Sequence, residues 1–399
     1  MRARNLKRLI VLTLMIAAPA GPLAAQMPTV SAALERKIAT HPHVRRLTTW
    51  GSRADWSGDS RKLLFLSKEY GDVFELDVAT GATRPLTFHF PHKGFFRAYY
   101  LANGDILLTG PRDWQPESRL FSRYNDSEVF LMKADLSGPP IPLGIRNFEG
   151  IAVARGAMRI AWSERPGPRP QPVSDAQLYR DPNALATQHN QIWIGDIAFV
   201  DGKPQIIDKR QVANCGDPAD PLNRLLAPRK LKCGMLEPQN FVPASETRLT
   251  VTTVAIPTDR PVAGLDADVG VEAISLDIAR GPAVLLSHNP PYNEPEGVFP
   301  SGRFLAVEHG AGTMAPGLLE RLDLWRLATD GGGKMQRMTF YNQIDPQLKS
   351  NQPVISPDGK WMAFGVSTGE IERKVPGQGV GLFLMDLTAA GFADAEVRR

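Results

Sequence analysis

The stretch "SPDGKWMAFG" (residues 356–365) joins a tight turn to an apolar strand near the end of the 399-residue sequence. Asp358 and Gly359 are typical of a short hairpin, because glycine accepts a positive φ and aspartate can hydrogen-bond to its own backbone. The apolar residues that follow are typical of a half-buried strand. The stretch therefore predicts a β-hairpin, and its recurrence along the chain determines which β fold is expected.

The same pattern of a small or polar turn followed by an apolar strand occurs at five earlier positions. These are "SGDSRKLLF" (57–65), "LANGDILLT" (101–109), "ARGAMRIAW" (154–162), "PASETRLTV" (243–251) and "FPSGRFLAV" (299–307). A further strand ending near an acidic residue follows each copy, as in "GLFLMDLTAAG" (381–391). A fourth strand is marked by Arg-x-Leu/Met-Thr in "RPLTF" (84–88) and "QRMTF" (336–340). Each repeat is therefore a unit of about four strands, and the chain holds six units.

The last unit lacks a fourth strand, whereas the unassigned strand "RRLTT" (45–49) precedes the first unit. An N-terminal strand that completes the C-terminal sheet would close a ring and remove exposed sheet edges. The sequence therefore predicts an all-β fold, a six-bladed β-propeller over residues 44–391 followed by a tail at 392–399. A β-sandwich with coincidental turn signals is the alternative.

Residues 1–25 have the composition of a cleaved signal peptide, with four basic residues before a short apolar run and small residues before Gln26. The run is too short to span a bilayer, although a retained N-terminal anchor is the alternative. Residues 26–43 are expected to hold one short helix around residues 31–39. We therefore expect a protein secreted to the periplasm, with no stable insertion into the membrane.

Charge and cysteine content limit the possible partners. Of 46 basic residues, four lie in the predicted signal peptide, which leaves 42 basic and 42 acidic residues. This balance does not favour binding to nucleic acid or to an anionic membrane. Cys215 and Cys233 are predicted to form one disulfide that closes a surface loop. Residues 164–190 and 209–236 are rich in proline and polar residues, so an insertion and a linker are expected there.

Three stretches carry a resemblance to a known family. "SPDGK" (356–360) followed by "LFLMDL" (382–387), "NEPEGVFPSGRFLAVE" (293–308) and "LDLWRLATDGGGKMQRMTF" (322–340) resemble the repeats of periplasmic TolB-like propellers. The resemblance covers residues 44–390 and implies the propeller fold. It does not extend to an α/β domain ahead of the propeller, since residues 26–43 are too few, nor to the hydrolase domain of prolyl-oligopeptidase-like enzymes.

A candidate binding site follows from aligning the residues before each innermost strand, where propeller ligands usually bind. The positions equivalent to Asn351-Gln352 are Ser52-Arg53, Phe96-Arg97, Glu149-Gly150, Pro238-Gln239 and Glu294-Pro295, with Glu296 one step inward. The predicted ligand-binding residues at this channel mouth are Arg53, Arg97, Glu149, Gln239, Glu294, Glu296 and Gln352. Such a ring suits a polar ligand with a carboxylate, a sugar or a peptide terminus. Alternatively, arginine and glutamate side chains of adjacent blades pair with each other.

Two further patterns suggest chemistry. "FHFPHKG" (88–94) has an H-x-x-H spacing, and propeller lyases that act on uronic acids hold a metal with histidine and glutamine. His92, His288, His309 and Gln352 are the residues that such a resemblance would implicate, although none lies in a matching motif. Gly365-Val366-Ser367-Thr368-Gly369 has the G-x-S-x-G spacing of serine hydrolases. No histidine follows His309, and we expect a loop between two strands there.

The sequence therefore favours a monomeric, non-catalytic propeller that needs no cofactor and binds an envelope protein or a polar small ligand at the channel mouth. The alternative is a propeller enzyme, a lyase or hydrolase acting on oligosaccharide or peptide through mouth carboxylates or a metal.

Overall fold

A computed structural model describes residues 30–112, 119–168, 171, 174, 189–243, 245–260, 270–279, 281–288, 292–310, 321–375 and 377–394. Strands predominate in these ranges, as the all-β prediction requires. The predicted signal peptide, most of the 164–190 insertion and residues 395–399 lie outside the described residues. Within the described ranges, no helix is both long and apolar enough to cross a membrane.

Four-stranded antiparallel units follow one another along the chain. The strands of the first two units are β2 (Ser52–Trp56), β3 (Lys62–Leu66), β4 (Val73–Asp77), β5 (Thr83–Pro85), β6 (Arg97–Tyr100), β7 (Ile106–Pro111), β8 (Ser127–Met132) and β9 (Ile141–Asn147). The third unit consists of β10 (Ile151–Val153), β11 (Arg159–Glu164), β12 (Gln191–Val200) and β13 (Lys203–Asn214).

The remaining units contain the strands from β14 onwards, together with β1. The next two consist of β14 (Leu231–Phe241), β15 (Arg248–Pro257), β16 (Gly270–Asp277), β17 (Val284–Leu285), β18 (Tyr292–Val298), β19 (Phe304–Gly310), β20 (Asp323–Ala328) and β21 (Met335–Arg337). The last comprises β22 (Leu348–Ile355), β23 (Trp361–Thr368), β24 (Gly381–Asp386) and the N-terminal β1 (Val44–Arg46). Short helices are Ala32–Ile38, Arg119–Phe121, Pro221–Leu226, Tyr341–Ile344 and Gly369–Lys374, with a π-helical turn at Ser122–Asp126 and a 3-10 turn at Ala227–Arg229.

The structure is a β-propeller in which the first strand of each unit is innermost. β1 pairs with β24, with Val44 opposite Met385, which is the pairing that the sequence predicts. β16 and β18 meet in parallel at Val271 and Tyr292, so two units share one eight-stranded sheet. For this reason the count of six blades and the closure of the ring stay predictions.

The repeated turn has the same hydrogen bonds in the last and the first unit. In the last unit the Ser356 hydroxyl donates to Asp358 at 2.6 Å and accepts from the backbone N–H of Trp361 at 3.0 Å. In the first unit Ser57 and Asp59 make the same 2.6 Å bond. Gly359 has φ +70°, and the first unit places Ser60 at φ +60° at that step. The turn therefore depends on the serine and aspartate as well as on glycine.

The core lies between the faces of neighbouring units. Trp56, Leu63 and Phe65 of the first unit pack with Leu382 and Leu384 of the last. Other groups of buried apolar residues join each unit to the next along the chain. The units are thus stabilised by burial of apolar surface between sheets, and their inner edges remain available for polar side chains.

The predicted disulfide is confirmed, but its surroundings differ from the expectation. Cys215 and Cys233 are joined, with an S–S distance of 2.03 Å. Both are buried, 3% and 1% exposed, against Leu222 and Leu226, so the expectation of a surface loop was wrong. Residues 209–236 are likewise not a loop linker, since β13, the helix Pro221–Leu226 and β14 occupy most of them. Pro221, one of the prolines that suggested a loop, stands in the first turn of that helix, where proline is favourable.

Candidate functional site

One cavity of about 210 Å³ is lined by residues on or directly beside β2, β6, β10, β14, β18 and β22. Five of the seven predicted mouth residues are in its wall, namely Arg53, Arg97, Gln239, Glu296 and Gln352. The antiparallel pairing places the turns that follow the first strands at one end of this cavity, and Pro243, Pro300 and Pro357 of those turns line it. The structure therefore brings these sequence-predicted residues together, whereas their role as ligand contacts is untested.

Four of the wall residues stand at irregularities in the innermost strands. The register with the second strand shifts around Arg53, Gln239, Glu296 and Gln352. Arg53 and Gln352 also have positive φ angles of 56° and 55°, which side chains other than glycine seldom adopt. A bulge leaves a residue out of the ladder and redirects its side chain, and backbone strain of this kind concentrates at functional sites.

Hydrogen bonds fix the two strained positions to each other. The backbone N–H of Arg53 donates to Gln352 Oε1 at 3.0 Å, and the backbone N–H of Gln352 donates to Glu308 Oε1 at 2.7 Å. The bond between Arg53 and Gln352 links the first unit to the last. It holds the Arg53 backbone in place without using the guanidinium group.

Arg97 is surrounded by carboxylates. Its Nη2 lies 2.8 Å from Glu237 and 3.8 Å from Glu149, and its Nη1 lies 3.9 Å from Glu296. Burial opposes the charge of this guanidinium, but the neighbouring Tyr99 and these glutamates raise the Arg97 pKa. The pairing of arginine with glutamate from other units, one of the two sequence-based alternatives, is therefore found at Arg97.

A second ion-pair cluster adjoins Arg97. Arg123 hydrogen-bonds Glu149 through two of its nitrogens, and Arg119 bonds Glu69. Burial works against ionisation of Glu69, yet Arg123, Arg119 and Arg53 lower its pKa below the ordinary value. Arg123 lies in the π-helical turn between β7 and β8, and no sequence signal identified it. These charges are mutually compensated, so they contribute to holding the fold.

Arg53 differs from Arg97 and Arg123, which are both paired with glutamates. Its guanidinium lies over the Phe96 ring, 4.6 Å from the centroid. Among the residues that the structure describes, its side chain has no hydrogen-bond or ion-pair partner, and its Nε is buried without one. Burial together with the charges of Arg97 and Arg123 lowers the Arg53 pKa. Glu69 and Glu296 act against this lowering, but neither forms an ion pair with Arg53, and burying a cation without a direct partner is costly unless something else supplies the anion.

Three glutamates beside the cavity hold protons unusually tightly. Glu294 and Glu308 stand directly opposite each other on β18 and β19, and like charges in that position repel. Burial and the charge of Glu296 raise the pKa of Glu294 and of Glu308 to about 8. Burial, Glu149 and Glu294 also raise the pKa of Glu237. Tyr292 donates to Glu294, and Gln239 Nε2 donates to Glu294 at 3.2 Å.

The sequence overlooked some of these residues for identifiable reasons. Glu237 lies two residues before Gln239 on β14, but the register shift around Gln239 interrupts the period-two alternation that would have related the two side chains. Glu308 could have been found from its pairing opposite Glu294, which needs the register of the second strand. Tyr99 lies two residues after Arg97 on β6 and lines the cavity, as the same alternation indicates. Glu149 and Glu294 were predicted and lie next to the wall.

The three candidate metal histidines have separate partners. His92 Nε2 lies 2.9 Å from Asp72, and His288 Nε2 lies 2.7 Å from the carbonyl oxygen of Gly331. His309 Nδ1 lies 2.9 Å from the carbonyl oxygen of Tyr292 and stands beside Trp325. The described residues hold no group of three or more His, Cys, Asp or Glu side chains placed to bind a metal. The geometry therefore does not bring His92, His288 and His309 together.

The expectation of a loop at the G-x-S-x-G stretch was wrong. Residues up to Thr368 belong to β23, and the helix Gly369–Lys374 follows directly. Thr368 caps this helix by accepting from the backbone N–H of Ile371 at 3.2 Å, a capping role that explains why a helix begins there. The Ser367 hydroxyl donates to Glu372 at 2.7 Å and is 1% exposed. Ser367 is therefore engaged with a carboxylate, whereas a serine nucleophile requires an adjacent base such as histidine.

Comparisons with known proteins find only low similarity to solved structures. No family model matches the sequence, and no curated protein matches it. Solved structures that resemble it include an oligogalacturonate lyase from Vibrio parahaemolyticus, 11% identical, with a TM-score of 0.46 over 83% of this chain and 76% of that one. A gluconolactonase from Xanthomonas campestris is 12% identical, with a TM-score of 0.46 over 90% and 93% of the two chains.

TolB from Acinetobacter baumannii is 8% identical, with a TM-score of 0.44 over 86% of this chain. This chain spans 64% of the length of that TolB. At these identities and TM-scores the likenesses say nothing about a ligand or an activity.

Proposed function

We propose that the protein binds a small polar anion in the cavity among its first strands, without catalysing a reaction. The observation that carries this proposal is Arg53, which lines the cavity and whose guanidinium has no hydrogen-bond or ion-pair partner among the described residues. A ligand carboxylate would supply the missing charge and accept two parallel N–H bonds from the guanidinium.

The setting of Arg53 supports a ligand of limited size. The cavity, of about 210 Å³, is smaller than the roughly 300–1,000 Å³ of pockets for drug-sized molecules. The Arg53 guanidinium lies over the Phe96 ring, and this contact reduces the freedom that Arg53 would lose on binding. A buried disulfide and the predicted signal peptide are compatible with a secreted protein, so we place this binding in the periplasm.

The test compares two arginine variants of the same unit. Arg53→Gln removes the charge of Arg53 from the cavity wall, whereas Arg61→Gln removes an exposed arginine from the first turn. The purified secreted chain is screened by thermal shift against small carboxylates, and dissociation constants are then measured by calorimetry. We expect Arg53→Gln to weaken carboxylate binding at least about tenfold, since a charge-assisted contact is lost, and Arg61→Gln to leave it unchanged.

Other results would reject the proposal. Equal affinity in the Arg53→Gln and Arg61→Gln variants would remove Arg53 from the site. Failure of every small anion, together with specific capture of an envelope protein by the chain, would favour the protein-partner interpretation instead.

A second candidate is an acid–base enzyme that uses the glutamates beside the cavity. Glu294 favours it, because a carboxyl group with a pKa of about 8 is protonated at neutral pH and could serve as a general acid. Glu294 hydrogen-bonds Gln239, whose side chain lines the cavity. Turnover of an oligosaccharide or peptide that disappears in Glu294→Gln but persists in Arg61→Gln would support this candidate over simple binding.

A further inference from the structure

Three polar groups of the cavity wall besides Arg53 remain available for a ligand. The Glu296 carboxylate has no hydrogen bond within the described residues, and its nearest cation is Arg97 at 3.9 Å. Likewise, no hydrogen bond of the Tyr99 hydroxyl is found in the part of the chain that the structure describes. Gln352 Oε1 accepts from the backbone N–H of Arg53, and the Gln352 amide nitrogen has no hydrogen bond to any residue that the structure describes. Each of these residues is partly exposed in the cavity.

The chemistry of these groups restricts what the ligand carries besides its anion. An ionised carboxylate accepts hydrogen bonds and cannot donate them, so the part of the ligand near Glu296 must supply O–H or N–H donors. An amide nitrogen donates, and a tyrosine hydroxyl donates or accepts. A ligand with one carboxylate and an otherwise apolar body would leave Glu296, Tyr99 and Gln352 without partners in a partly dehydrated cavity, which is unfavourable.

The donor is more favourably a hydroxyl than an ammonium group. Arg97 lies 3.9 Å from Glu296, and Arg53 lines the same cavity, so a ligand cation at Glu296 would stand close to two guanidinium groups. Like charges at such distances repel strongly where water is scarce. A hydroxyl group meets the same acceptor without that repulsion, and its oxygen can in turn accept from Gln352 or Tyr99.

On the basis of the proposed function, we propose that the ligand is a hydroxylated carboxylate of the hydroxy-acid or sugar-acid class. Its carboxylate pairs with Arg53, one hydroxyl donates to Glu296, and Gln352 or Tyr99 contacts a hydroxyl oxygen. Specificity for this class then comes from Glu296, Gln352 and Tyr99, because Arg53 alone accepts any carboxylate of the right size.

Four molecules with a three-carbon skeleton test the inference on the full secreted chain. Glycerate carries a carboxylate and two hydroxyls, and propionate carries the carboxylate alone. Serine has an ammonium group in place of one hydroxyl of glycerate, and glycerol has hydroxyls alone. Calorimetry or ligand-observed NMR gives the four dissociation constants. We expect glycerate to bind about tenfold more tightly than propionate, because a hydroxyl gains a charged acceptor, and serine and glycerol to bind more weakly than glycerate.

Variants of the cavity residues test whether Glu296 and Tyr99 cause the preference for glycerate over propionate. Glu296→Gln and Tyr99→Phe should each reduce the preference for glycerate over propionate, measured as the ratio of the two dissociation constants. Asp201→Asn, an exposed turn position of the third unit, is the matched control and should change neither constant. Tyr99→Phe keeps the test informative if Glu296→Gln disturbs folding near Arg97.

The outcomes separate this inference from the proposed function. If propionate and glycerate both fail to bind, the anion site itself is wrong. If propionate binds as tightly as glycerate, or the preference survives both variants, the anion site stands and the hydroxyl class is wrong. If serine binds more tightly than glycerate, Glu296 receives an ammonium and the class is that of amino acids.

Discussion

Three arginines lie over the ring of Phe96, yet they divide into two kinds. The guanidinium carbons of Arg97 and Arg123 lie 5.2 and 4.7 Å from the ring centroid, and both groups have glutamate partners. Arg53 lies 4.6 Å from the same ring and has no such partner among the described residues. The same residue type on the same ring therefore supports the fold at Arg97 and Arg123 and leaves a charge for a ligand at Arg53.

The largest expected effect separates these two kinds by stability. Arg97→Gln leaves Glu237 and Glu296 without the nearby cation, whereas Glu149 keeps Arg123, and we expect a loss of about 3 kcal/mol in the free energy of unfolding. Arg53→Gln removes a buried charge that has no ion-pair partner, and we expect the free energy of unfolding of the ligand-free protein to stay equal or to rise slightly. Urea denaturation of both variants measures the difference.

The opposite ranking would break the comparison. If Arg53→Gln destabilised the ligand-free protein as much as Arg97→Gln, Arg53 would be a structural residue and the case for an anion site at Arg53 would be lost. Arg61→Gln serves as the control for the loss of a positive charge alone.

A smaller effect is expected in the pH dependence of stability. Glu294 and Glu308 have pKa values of about 8 in the folded protein, above the ordinary 4.5 of a glutamate, with burial as the largest cause. Between these values the folded state retains protons that the unfolded state has released. Raising the pH through this window therefore weakens the fold, and the loss is complete above about pH 8.

The measurement is the urea midpoint from about pH 5 to about pH 9. Glu294→Gln should flatten its decline, because glutamine does not titrate. Glu75→Gln is the matched control. Burial opposes ionisation of Glu75, but hydrogen bonds from Arg84, Tyr100 and Lys62 lower its pKa, so its stabilising effect is already present throughout this window. An equal slope in wild type and Glu294→Gln would show that Glu294 is ionised in the folded protein.

The fold could be predicted from the sequence because its signals are local and repeated. Ser356 and Asp358 form the turn that their spacing predicts, and the same bonds recur at Ser57 and Asp59. The pairing of β1 with β24 was predictable from a strand missing at one end and unassigned at the other. The buried disulfide core was not, because Pro221 and its polar neighbours resemble a loop unless the helix that they begin is recognised.

The candidate site was predictable only in part. Aligning the repeats placed Arg53, Arg97 and Gln352 around one channel, but it treated the two arginines as equivalent. Their difference depends on Arg123 and Glu237, which come from other units or from an irregular turn. Whether a charge is paired is decided by tertiary contacts, and the period of the repeat carries no information about them.

The smallest expected effect compares two tyrosines. Tyr292 donates its hydroxyl to Glu294, so Tyr292→Phe leaves a buried carboxyl group without that bond and should lower the free energy of unfolding by about 1 kcal/mol. The Tyr99 hydroxyl has no hydrogen bond within the described residues, so Tyr99→Phe should leave the stability of the ligand-free protein unchanged. Urea denaturation resolves the two, and a ligand that protects wild type more than Tyr99→Phe would assign the Tyr99 hydroxyl to binding. A loss of stability in Tyr99→Phe equal to that in Tyr292→Phe would place Tyr99 among the residues that hold the fold and would leave Arg53, Glu296 and Gln352 as the polar groups available to a ligand.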